Sequence, residues 1–207
     1  MVHVRLVLLL TVVATLLVGC STRTAGNATP ATDDVQGTDQ PETSSQTEPD
    51  DGAPKVEDPL DASKYEDNPC LALDATQSDE LGFGSSGSPV DATLGKACLW
   101  ENESTRGQVQ ITFYSEIEDG LSSQYRAQDD GKWAYFEELP AIDGFPAVAR
   151  DITDNRHNGT CPVAVGLSDE LMFEVDLRLP EESIGNDEPC EAAAEAAGMG
   201  VQTMKNG

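Results

Sequence analysis

Four cysteines, Cys70, Cys98, Cys161 and Cys190, limit what this chain can fold into more than any other feature. They bear on the fold because of a fifth, Cys20. An apolar run from Leu6 to Leu17 follows a short leader with Arg5 and ends in Leu17-Val18-Gly19-Cys20, a small residue directly before a cysteine. A spanning helix needs roughly 20 apolar residues, so the shorter run reads as a signal peptide over residues 1–19. The pattern predicts a lipoprotein: cleavage before Cys20, lipidation of its thiol, and attachment to the extracytoplasmic face of the cell membrane. The predicted partner in that attachment is the membrane itself. Acyl chains would hold the protein there, each buried methylene contributing roughly 0.8 kcal/mol.

Outside the cytoplasm thiols oxidise, and four remaining cysteines then imply two disulfides. Three connectivities exist. Cys70–Cys98 and Cys161–Cys190 are favoured, closing separations of 28 and 29 residues. Each loop would stabilise the fold by about 3–4 kcal/mol in the chain-entropy account. A zinc site is the competing reading. It is disfavoured because no Cys-x-x-Cys pair occurs and His157 is the one histidine beyond the leader. No metal and no cofactor are expected.

From Ser21 to about Asp67 the composition is Thr, Ser, Pro, Gly, Asp, Glu, Gln and Ala, with few large apolar residues. Such a segment cannot bury enough surface to offset its ordering entropy. Residues 20–67 are therefore expected to form a lipidated N-terminus and a disordered acidic tether, averaging roughly 35–40 Å end to end. Residues 68–207 fit one globular domain with one core. The formal net charge of −26 repels phosphate backbones, so nucleic acid is not an expected partner. Aromatic residues make up 5%, which leaves the core to Val, Leu, Ile and Ala.

Periodicity supplies the elements. Asn68-Pro69-Cys70 suits a helix start, with Asn68 as cap, and the helix would run to about Glu80 with Leu71, Ala75 and Leu81 inward. Gly84 to Pro89 reads as loop, and Ala97–Trp100 as a short strand. Val109, Ile111 and Phe113 alternate with polar residues, which is the pattern of a half-buried strand. Ile117, Leu121 and Tyr125 recur at helical spacing. Strands are expected over Trp133–Leu139, Pro146–Ile152, Cys161–Leu167 and Phe173–Leu179, and a terminal helix from Cys190 carries Ala194, Ala197, Val201 and Met204. Gly198 and Gly200 weaken its second half. This order, with hairpin-length late connections, predicts an α+β domain: an antiparallel sheet with helices packed on one face.

The chemistry-bearing motifs are few. Gly82-Phe83-Gly84-Ser85-Ser86-Gly87 matches G-x-G-x-x-G, but a dinucleotide site needs it between a strand and a helix, and here it follows a helix. His157 sits in a polar turn, without a serine elbow to serve. Asp151, Asp154, Asn155 and Asn158 read as an Asx-rich turn, not a calcium loop. Glu137-Glu138 and Glu181-Glu182 are neighbours that would point apart on a strand. Trp100 is expected to pack against a disulfide. No catalytic residue is assigned.

With these residues placed, the chain resembles the uncharacterised DUF3558 family of actinobacterial lipoproteins. The resemblance is carried by Asn68-Pro69-Cys70-Leu71, Leu81-Gly82-Phe83, Cys98-Leu99-Trp100, Gly144-Phe145-Pro146-Ala147, Cys161-Pro162-Val163-Ala164-Val165 and the alanine-rich helix after Cys190. It implies an exported lipoprotein of the cell envelope, and by analogy with other small envelope lipoproteins a Mog1p/PsbP-like fold. It implies no activity. The leading expectation is a binding or interaction module for an envelope protein. A carrier of an apolar envelope molecule is the alternative, and a carboxylate-dependent hydrolase the third.

Overall fold

The structure, a computed structural model, describes residues 52–207. The expected signal peptide, Cys20 and the first part of the acidic stretch lie outside the described residues.

Among the described residues, seven strands form one antiparallel sheet: β1 (Ser88–Ala92), β2 (Gly95–Asn102), β3 (Gly107–Phe113), β4 (Tyr135–Ile142), β5 (Phe145–Asp151), β6 (Thr160–Gly166) and β7 (Met172–Arg178). Their spatial order is β1-β2-β3-β7-β6-β5-β4. Two runs of successive hairpins, β1 to β3 and β4 to β7, therefore meet where β3 pairs with β7. The helices are α1 (Ser63–Asp67), α2 (Ala75–Glu80), α3 (Ser122–Asp129) and α4 (Pro189–Asn206). The expected α+β architecture with two disulfides is the one observed.

Alternation decides the faces. Val109, Ile111 and Phe113 of β3, Val163 and Val165 of β6, and Phe173, Val175 and Leu177 of β7 point to one side and are fully buried. Onto them packs α4 with Ala193, Ala196, Ala197, Val201 and Met204. Small residues let the helix approach, and at Gly200 the nearest atom to an added Cβ would be a Phe173 ring carbon at 3.6 Å. The helix continues through Gly198 and Gly200 to Asn206 because burial outweighs a propensity cost of about 1 kcal/mol per glycine. The opposite face has its own smaller cluster of Leu121, Val148, Ala164 and Met172, covered by the start of α3.

Both disulfides form as expected. Cys70–Cys98 ties the segment before α2 to β2, and Cys161–Cys190 ties β6 to the first turn of α4. Trp100 is buried beside the first. A Cβ on Gly87 would lie 2.5 Å from both the Cys98 sulfur and the Trp100 ring. Asp143 and Gly144 have φ of 50° and 94°, the pair of positive values that a tight hairpin turn requires between β4 and β5.

Three expectations are corrected. The helix from Asn68 to Glu80 is instead a 3₁₀ turn over Pro69–Leu71 followed by α2. Asn68 caps nothing with its side chain; Asp74 does, accepting from the N–H groups of Thr76 and Gln77 while Gln77 returns a bond to the Asp74 N–H. This capping box starts a new helix, so Ala72 and Leu73 are buried in place of Leu71 and Ala75. The stretch read as loop before Pro89 leads into an edge strand from Ser88, where proline is tolerated because one side of the strand is unpaired. Finally, residues 53–67 belong to the fold and not to the tether. Ala53, Val56, Ala62 and Tyr65 are buried. Hydrogen bonds fasten the segment: Ala53 N–H to Ser122 (3.1 Å), Val56 N–H to Asp169 (3.1 Å), Leu60 N–H to the Leu167 carbonyl (2.9 Å) and Tyr65 O–H to the Thr203 carbonyl (3.0 Å). Sparse apolar residues and long-range polar contacts leave little compositional trace.

Candidate functional site

The β4–α4 groove begins with strand parity. On β4, Tyr135, Glu137 and Leu139 point to the side occupied by α4, while Phe136 and Glu138 point away. Beyond Leu139 the register with β5 shifts, which brings Pro140, Ala141 and Ile142 to the rim. Across the gap stand Glu188, Cys190, Glu191 and Ala194 from the start of α4. Helix and strand stay apart because α4 packs chiefly on β6 and β7, leaving the sheet edge uncovered. The gap is an open groove of about 630 Å³ with a largely apolar wall.

One end is closed by polar groups. The Arg156 guanidinium lies 3.6 Å over the Tyr135 ring. It is held there by two hydrogen bonds to Asp154, each 2.8 Å. That bonding keeps the Asp154 carboxyl down at about 2. The Tyr135 hydroxyl donates to Glu137. Burial first, and the Glu137 carboxylate second, push the phenol up to about 12, so it stays a neutral donor. The Cys161–Cys190 bridge forms part of the floor, its Cys190 sulfur 3.9 Å from the Tyr135 oxygen. The groove holds apolar atoms, a neutral hydroxyl, exposed carboxylates and a paired guanidinium. Such an arrangement sets apolar surface beside hydrogen-bonding and charged groups.

A second polar group is buried on the opposite face. Arg150 of β5 and Glu174 of β7 form an ion pair with side chains 8% and 10% exposed. Further groups hold the pair in place. Arg150 Nε donates to Gln124 (2.8 Å), Tyr114 O–H donates to the other Glu174 oxygen (3.1 Å), and the Trp133 ring lies 4.5 Å from the guanidinium. A carboxylate engaged on both oxygens by a cation and a phenol is a structural group. Asp176, two residues along β7, is pushed up to about 6, by burial first and then by the charges of Glu174 and Asp151.

The other residues singled out by sequence fall elsewhere. His157 is exposed in the turn before β6. Asp151 accepts from the N–H groups of Thr153 and Asn155, which makes the Asx cluster a folded turn. Gly82 and Gly84 of the G-x-G-x-x-G run have φ of 79° and 85° and turn the chain out of α2. Cys20 lies outside the described residues. Sequence reasoning expected an apolar patch or a groove between sheet and helices without placing it on residues, and it missed the Arg150–Glu174 pair. The one available signal for the pair was an Arg and a Glu that share an alternation phase with Val148 and Met172, on the face away from α4.

Fold and groove define a small, disulfide-bonded α+β domain with an open groove beside one edge of its sheet. The model of the family described as a protein of unknown function, DUF3558, matches residues 15–203. The chain belongs to that family. No curated protein and no solved structure matches it.

Proposed function

We propose that this protein is exported, lipidated at Cys20 and held on the extracytoplasmic face of the cell membrane, where its domain serves as a binding module of the envelope. The groove between β4 and α4 is the observation that carries the binding part of this reading. It offers Leu139, Ile142 and Ala194 to an apolar group and places Glu137, Glu188 and Glu191 around them. The signal at Leu17–Cys20 and the acidic stretch after it support the anchored part. Among the described residues no helix is long and apolar enough to cross a membrane, so attachment falls to the lipid.

A photo-reactive amino acid at Ala141, in the full-length protein in its own envelope, is expected to give one reproducible adduct. Ala194→Trp, which fills the groove from the helix side, is expected to remove that adduct while leaving the thermal unfolding curve in place. Cys20→Ala is expected to move the protein out of the membrane fraction. An adduct unchanged by Ala194→Trp rules the groove out as the site; a Cys20→Ala variant that still sediments with membranes rules out the anchor. The carrier reading, in which an apolar envelope molecule occupies the same wall, predicts an adduct extractable with organic solvent.

A further inference from the structure

We propose that the groove takes an extended, basic peptide segment of another envelope protein, added as an eighth strand to the free edge of β4. This rests on the reading of the groove as a binding site and names the partner's chemistry. Three features of the molecule converge on it.

The first is the unpaired edge. Among the described residues β4 is the last strand of the sheet, with β5 on one side and no strand on the other. Alternate backbone N–H and C=O groups of such a strand face outward and are ready to pair with another chain. The second is the depth beside that edge. An added strand would present every second side chain to the apolar wall made by Leu139, Ile142 and Ala194, which is how edge-binding domains gain specificity beyond main-chain bonds. The other edge strand, β1, runs five residues and includes Pro89 and Asp91. The third is charge. Glu137, Glu188 and Glu191 ring the groove, and Arg156, the cation among the lining residues, is already engaged by Asp154. Lys or Arg side chains of the partner meet these carboxylates, and the net charge of −26 draws a cation in from a distance. The same carboxylates repel an anionic lipid or an acidic peptide.

The site is bounded. Pro140 has no N–H to give, and the β4 register breaks between Leu139 and Ile142. Strand addition therefore covers Tyr135 to Leu139 and stops, which keeps the edge from templating open-ended assembly.

The full-length lipidated protein in detergent micelles, selected against a random decapeptide library, tests this. Enriched peptides are expected to alternate apolar residues with Lys or Arg. On binding they should slow hydrogen exchange at the amides of residues 135–139. Neutralising the rim with Glu188→Gln and Glu191→Gln, which leaves the fold intact, is expected to weaken them by about tenfold, and Ala194→Trp by more than tenfold. Enrichment of acidic or uncharged peptides, binding that ignores Ala194→Trp, or exchange unchanged along β4 overturns the proposal. So does self-association of the protein through this edge. An uncharged apolar dye such as N-phenyl-1-naphthylamine separates the two levels. If the dye binds and Ala194→Trp displaces it while no peptide is selected, the peptide proposal fails and the groove stands as a small-molecule site. If neither dye nor peptide is sensitive to Ala194→Trp, the binding-site reading fails with it.

Discussion

Asp176 faces Gln110 across β3 and Pro162 across β6, with Glu174 and Arg178 as its same-face neighbours along β7. Its carboxyl sits at about 6 in the fold, against an ordinary value near 4, because burial and the Glu174 charge both oppose ionisation. The folded state thus holds a proton that the unfolded state has released. Stability is greatest below about pH 4 as far as this group is concerned, and falls as the pH rises through about 6, by on the order of 1–2 kcal/mol. Asp176→Asn should remove that slope and leave the protein more stable than the parent at pH 7, as urea denaturation across pH 4 to 7 would show. No gain at neutral pH would mean that Asp176 is better solvated than its position indicates. Gly87 makes the opposite kind of prediction. Its missing Cβ is what lets the chain cross close over the Cys98 sulfur and Trp100, where an added Cβ would lie 2.5 Å from both, so Gly87→Ala should cost about 1–3 kcal/mol of overpacking. A variant as stable as the parent would show that the loop before β1 can lift away without loss. Trp100 beside a disulfide was legible from Cys98-x-Trp100 alone; Gly87 above it was not, because nothing in a Gly/Ser-rich run says what it crosses.

At the scale of elements, the strands with strict alternation were legible almost to their ends. β3, β6 and β7 each show apolar residues at every second position, and that pattern is dictated by one face touching the core. The segment from Asn68 to Glu80 was not, because Asn68-Pro69 and Asp74-x-x-Gln77 are both valid helix starts. The choice between them was made by the Cys70–Cys98 bridge and by burial of Ala72 and Leu73. In α4 the two glycines were a warning that tertiary packing overrode. A Cβ added at Gly198 would meet Ile142 at an ordinary contact distance of 3.7 Å, so the glycine is not required by space. Gly198→Ala should therefore raise stability by about 0.5–1 kcal/mol through helix propensity and the entropy of the unfolded chain. A thermal melt that shifts downward would instead show that the β4 end of α4 has no room for a methyl group.

For the whole molecule, the boundary of the domain is the consequential finding. A chain beginning at Asn68 would lose Tyr65, which is 2% exposed and bonded to Thr203, together with Ala53, Val56 and Ala62. Truncation from Ala53 to Asn68 should destabilise the domain by about 3 kcal/mol or more, the cost of emptying an aromatic site and stripping neighbouring surface. Equal urea midpoints for the two lengths would return residues 53–67 to the tether. The same scale decides the groove. An edge strand is an edge only because of where the chain places it. The amino-acid sequence by itself determined the local and favoured the pairwise: the alternation that makes strands, the glycine and Asx turns, and a cysteine pairing that closes two short loops. Tertiary structure alone decided which strand lies at the margin, that α4 stops short of covering it, that Arg150 and Glu174 meet across β6, and that residues 53–67 fold back. These rest on contacts between residues far apart in the chain, and periodicity reports whether a residue is buried, never against what.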